Sequence, residues 1–184
     1  MPSENISNPL APCLAGDALC QDNLACLNQL HAVVSQIREE DYRRAVPPCD
    51  SGIGAHVRHI LDHYDAFFAG LNSGEINYDK RERDTETQYS TKKALQRIES
   101  TREQLAALSH EGLLAPIMVV MDCGSRASTC LSVPSTGLRE MQFLVSHTVH
   151  HDALIAAAAK ALGLRLHEGF GVAPSTLRYA DCGK

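Results

Sequence analysis

Two groups of histidines carry the chemistry that can be read from this sequence. One is Ser146-His147-Thr148-Val149-His150-His151-Asp152, and the other is His56-Val57-Arg58-His59-Ile60-Leu61-Asp62-His63. Imidazoles four residues apart on a helix differ by only about 40° around its axis and sit on consecutive turns, so both can reach one ion. His147 and His151 have this spacing. The apolar stripe of their helix centres near Val145 and Thr148, with His151 about 60° and His147 about 100° from it, while His150 lies nearly opposite. His147 and His151 are thus expected to flank the core and His150 to face water. A third imidazole from the other group would complete the three-ligand set with an open position that catalytic zinc sites use. His56, His59 and His63 share one side of that helix. Wheel angles place His56 and His63 nearer the apolar stripe than His59, which leaves the third ligand undecided. Asp62, three residues past His59, suits either acceptance of a ring hydrogen or a general-base role toward water.

Helices must position these groups. A first helix is expected from Asp17, as cap, to about Arg44, with Leu24, Leu27, Leu30, Val34 and Ile37 at three-and-four spacing. Residues 1–16 read as a loose leader. Ser51 is the expected N-cap of a second helix that stops at Gly74 and turns Ile53, Val57, Ile60, Leu61, Tyr64, Phe68 and Leu71 inward. The charged stretch from Glu75 to Tyr89 has no apolar period and reads as a solvated loop. Folded over the mouth of the bundle, its Tyr78 and Arg81 would suit a polar or anionic substrate. A third helix spans about Ser90 to Ser109. Two β-prone runs, Pro116 to Met121 and Ala127 to Val133, then flank an Asp/Gly/Ser turn and suggest a hairpin. Pro134-Ser135-Thr136 opens the fourth helix, which stops at Gly163, and residues 164–184 read as an irregular tail. Four long helices with one long connection between the third and fourth predict an all-α antiparallel four-helix bundle forming a single domain over 1–184.

Composition narrows the partners. The 184 residues carry 17 basic and 22 acidic side chains, a net charge of −5, which disfavours a nucleic-acid binder or one for anionic membranes. No apolar run approaches the roughly 20 residues that span a bilayer, and the start lacks a secretory pattern, so a cytoplasmic location is expected. Seven cysteines without any C-x-x-C pair read as mostly reduced, partly buried side chains. A Gly-x-Ser-x-Gly elbow and a Gly-rich phosphate loop are absent from the sequence.

The segment from Ser51 to His63, paired with His147-Thr148-Val149-His150-His151, resembles the DinB-like superfamily. The resemblance implies a four-helix bundle in which one His of the second helix and the H-x-x-x-H of the fourth hold a divalent metal. The family's metal His comes seven or eight residues after the small polar start of its helix, which here selects His59, against the wheel. The implied ligands are therefore His59, His147 and His151, with His56 and His63 as alternatives or neighbours. Three imidazoles suit zinc first, then nickel or ferrous iron. The implied activity is metal-assisted hydrolysis or transfer of a small-molecule thiol onto an electrophile. A metal-binding, stress-related interaction module without turnover is the alternative, and a homodimer is expected. Many members follow the last ligand with Arg-Gly-Gln, whereas here it is Asp152-Ala153-Leu154, so substrate contacts on that helix do not carry over. Members that transfer sulfur with oxygen need a further large catalytic domain, and such chemistry is not expected of this chain alone.

Overall fold

A computed structural model describes residues 11–47, 51–80, 84–122 and 130–182. The chain is mostly helical with one small sheet. In order, it forms α1 (Ala11–Val34), α2 (Glu39–Arg43), α3 (Ile53–Ser73), β1 (Glu75–Asn77), α4 (Thr85–Tyr89), α5 (Thr91–Ala106), a 3-10 turn (His110–Leu114), β2 (Pro116–Asp122), β3 (Cys130–Thr136), α6 (Gly137–Ala161) and α7 (Pro174–Cys182). Four long helices dominate: α1 packs on α5 and α6, and α3 packs on the same two. Leu27, Leu30, Ile60, Leu61, Tyr64, Phe67, Ile98, Leu105, Met141, Leu144 and Ile155 meet between them with no exposed surface. Burying each large apolar side chain stabilises the fold by about 1.5–3 kcal/mol.

Several expected boundaries shift. The first helix starts earlier, so Asp17 lies inside it and residues 11–16 of the expected leader are helical. It also breaks after Val34, because Gln36 and Ile37 donate to carbonyls only three residues back and Arg38 is extended (φ −66°, ψ 143°). Gly52 rather than Ser51 caps α3. Ser51 instead points its hydroxyl at His56. At the other end Gly74 takes φ 81°, a left-handed value suited to glycine, and its N–H donates to the Gly70 carbonyl.

The charged connection is not simply a loop. β1 pairs parallel with β2 (Ile76 opposite Val119), α4 follows under an Asp84 cap, and Arg81 lies outside the described residues. Ile76 is the reason: it is fully buried against α3, an anchor that a count of charges hides. β2 and β3 form the expected antiparallel hairpin, Val119 opposite Val133, with the second strand continuing past Val133 to Thr136 and residues 127–129 outside the described residues. Thr136 caps α6, its hydroxyl accepting from the Arg139 N–H. The tail contains α7.

Close approach is tightest at Gly54, where a Cβ would come within 2.1 Å of the Gln88 carbonyl oxygen and 2.6 Å of the Tyr42 ring. Gly54→Ala is therefore expected to lower unfolding free energy by about 1–3 kcal/mol in a urea titration, since both obstacles are held by packing. An unchanged midpoint would show that α2 and α4 yield freely.

Candidate metal centre

The two histidine motifs face one another across the α3–α6 contact. Ring centroids run 4.4 Å from His59 to His63, 3.8 Å from His63 to His147, 4.6 Å from His147 to His151 and 4.4 Å from His151 back to His59. Each helix contributes an i, i+4 pair, so consecutive turns stack one ring above the other on each side. Ile60, Leu61, Leu144 and Thr148 pack inward between the histidines and fix both backbones. His63 is buried and His59, His147 and His151 are half-buried.

One nitrogen of His59, His63 and His147 each lies within 4.8 Å of the others, a grouping that takes His63 where the resemblance implied His151. The closest approach is His59 Nε2 to His147 Nε2, 3.2 Å. Two bare lone pairs repel at that distance, so the pair needs a shared proton or a cation. Zn–N bonds of about 2.0–2.1 Å in a tetrahedral site put two ligand nitrogens about 3.3 Å apart, which matches. His63 Nδ1 sits 2.8 Å from the His59 carbonyl, to which it can only donate, and its Nε2 is then the lone-pair nitrogen in the neutral ring. His151 turns Nδ1 to His56 Nδ1 at 3.1 Å, and His56 reaches Ser51 with its other nitrogen. Burial, with a smaller contribution from His150, holds the His56 pKa below the ordinary histidine value. An all-imidazole donor set with neutral rings fits a divalent ion. His150 is exposed, as the wheel indicated, and packs edge-on against His151 at 5.1 Å.

Tyr78 is buried rather than solvent-borne. Its ring stacks on His63 at 5.2 Å and its hydroxyl donates to Glu140 at 2.9 Å. Glu140 is fully buried and also accepts from Ser135 and Arg139. Phe143 completes this wall, 5.6 Å from His147. Sequence reasoning missed Phe143, although its position four residues before His147 is the signal that places it. The Asp62 carboxylate accepts from Arg97 at 3.1 Å and from Arg58 at 3.3 Å.

Beneath the histidines, Tyr64 donates to Asn23, whose amide donates to the Leu19 and Met141 carbonyls. Desolvation pushes the Cys26 thiol up to about 12 and raises the Tyr42, Tyr64 and Tyr78 hydroxyls as well. These acids keep their protons in the fold after the unfolded chain has lost them. Their stabilisation is whole below about pH 9 and falls as pH rises toward the folded values. Urea midpoints are accordingly expected to decline steadily above pH 9, with Cys26→Ala shallowing the slope; a flat profile to pH 11 would contradict this burial. Alkylation at pH 8 is expected to label exposed Cys130 well before Cys26, whose buried thiol holds its proton, because thiolate is the reacting form.

A small, mostly helical protein with an H-x-x-x-H pair on each of two packed helices is the class that fold and site define. A sequence profile of the DinB superfamily matches residues 24–155, from within α1 through both histidine motifs, and the chain belongs to that superfamily. It is also similar to a protein of Rhizopus delemar named FK506-binding protein 5, 31% identical over 104 residues. That match covers 56% of this chain and 27% of the relative's length. Among the described residues no helix is long and apolar enough to cross a membrane.

Proposed function

We propose that His59, His147 and His151 hold one divalent ion, zinc before nickel or ferrous iron, in an antiparallel four-helix bundle acting as a small-molecule enzyme. The reaction is hydrolysis or transfer of a low-molecular-weight thiol onto an electrophile. The observation that carries this reading is the 3.2 Å approach of His59 Nε2 and His147 Nε2 from separate helices. Membership of a superfamily in which such sites recur, and the i, i+4 partner His151 beside both rings, support the third ligand. A divalent ion among neutral imidazoles supplies acidification of a water or thiol toward neutral pH. Around it, Tyr78 and Phe143 narrow solvent access on the His63 side, and Glu140 fixes the Tyr78 ring. Asp62, engaged by two guanidinium groups, is assigned no proton transfer. A net charge of −5 supports a partner other than nucleic acid. A cytoplasmic homodimer is part of the proposal, and light scattering at twice the 20.0 kDa chain mass tests the dimer.

His63 favours a second reading. Its buried nitrogen lies within the cluster, and as a fourth ligand it would close the site into a structural, non-catalytic one. The Rhizopus relative, nearly four times as long as the stretch it shares, supports a unit carried within a longer chain. Cobalt(II) separates the two. An open site takes about one equivalent and gains a near-ultraviolet sulfur-to-metal band when 2-mercaptoethanol is added. A closed site binds cobalt with a spectrum that the thiol leaves unchanged, and that result would overturn the enzymatic reading.

A further inference from the structure

We propose that His56 is a positioning residue of the metal centre, its Nδ1 accepting the Nδ1–H of His151 so that Nε2 of His151 is the nitrogen left to bind the ion. The inference rests on the reading of His151 as a ligand. Two neutral imidazoles whose Nδ1 atoms stand 3.1 Å apart share a single proton, which belongs to one ring or the other. On His56 it would leave His151 protonated at Nε2 and unable to bind metal there. On His151 it leaves Nε2 bare. His56, accepting at Nδ1, then carries its own hydrogen at Nε2, 3.3 Å from the Ser51 hydroxyl, which accepts it. The polarity is consistent from the metal side outward: His151 donates to His56, and His56 donates to Ser51.

A metal-binding histidine nearly always gives its second N–H to an acceptor that fixes its tautomer and orientation, most often a carboxylate or a backbone carbonyl. The neighbouring carboxylate on α3, Asp62, is held by Arg58 and Arg97. A neutral imidazole takes the place of that acceptor here. It adds no negative charge beside the ion, so the ion's charge acts undiminished on whatever it holds. His56 lies in the first turn of α3 and Ser51 immediately precedes the Gly52 cap, so the helix start fixes both groups.

The test uses the full chain, zinc competed against a chromophoric chelator, and long-range proton–nitrogen NMR of the histidine rings with and without zinc. Wild-type His151 is expected to carry hydrogen at Nδ1 in both states. His56→Phe should lower zinc affinity about 10–100-fold with stoichiometry kept at one and His151 divided between tautomers. His56→Asn, which retains an acceptor near the Nδ1 position, should hold affinity within about threefold of wild type. If His56→Phe changes neither affinity nor tautomer while His151→Ala abolishes binding, the role of His56 is refuted and the metal assignment stands. If His56→Phe loses zinc altogether with its helicity intact, His56 is itself a ligand and the positioning role is refuted. Wild-type protein that takes up no zinc overturns the metal assignment and this inference with it.

Discussion

His147→Ala is expected to strip the protein of stoichiometric zinc, lowering affinity by at least about a hundredfold, more than loss of an outer hydrogen bond would. The expectation follows from where the ring sits. It touches His59, His63 and His151, and its Nε2 is the atom that approaches His59 Nε2 to 3.2 Å. The preceding turn of α6 offers only Phe143 in its place, and the following turn carries His151, already counted among the ligands. His59→Ala should behave alike, whereas His150→Ala, on the exposed side of α6, should keep its metal. Metal content of protein purified without a tag is the measurement. His147→Ala retaining nearly one equivalent would defeat the site. Comparing His63→Ala with His151→Ala then identifies the third ligand: loss only in the former would transfer that role to His63.

Arg97→Met is the second large effect, and it acts on stability. The guanidinium bridges three elements, donating to Asp62 at 3.1 Å and Asp65 at 2.6 Å on α3, and to Asp84 at 3.5 Å and Thr87 at 3.2 Å at the α4 end. The Asp62 side chain is only 3% exposed. Exposed partners such as Asp65 contribute little by themselves, but a buried carboxylate deprived of its cation is costly. Removing one partner of such a pair costs about 3–5 kcal/mol. In a chain of this size that corresponds to a Tm lower by on the order of 10 °C. Adding Asp62→Asn should recover part of the loss, because the stranded charge is gone, and the double-mutant cycle measures how much. A Tm within 2 °C of wild type would mean that Arg58 alone suffices for Asp62. Zinc binding should survive in Arg97→Met, since the partners Arg97 holds are carboxylates and the Thr87 hydroxyl rather than imidazoles.

Helical periodicity was legible wherever the apolar stripe was unbroken. α3, α5 and α6 begin and end close to where Gly74, Ser90 and Thr136 indicate. The meeting of the two histidine motifs was equally legible, because four-residue spacing carries its geometry with it. Elements held by a single long-range contact were not. β1 depends on Ile76 entering the core beside β2, and Tyr78 depends on Glu140 sixty-two residues later; no local pattern encodes either pairing. The same limit applied to the Asp62 contact with Arg97, thirty-five residues away, which the spacing from His59 does not announce. His56 shows what angle alone leaves out: the wheel placed it as a possible ligand, and only the position of the His151 ring reveals an acceptor.

The short parallel strand also sets where the chain tolerates change in length. Glu75, Ile76 and Asn77 are locked opposite Met118, Val119 and Val120, and side chains alternate faces along a strand. One residue inserted between Gly74 and Ile76 would turn Ile76 toward solvent and carry the Tyr78 ring away from His63. Deletion there would have the same result. This three-residue spacer therefore behaves as a ruler, and lengthening or shortening it should open the imidazole cluster to solvent without altering a single histidine.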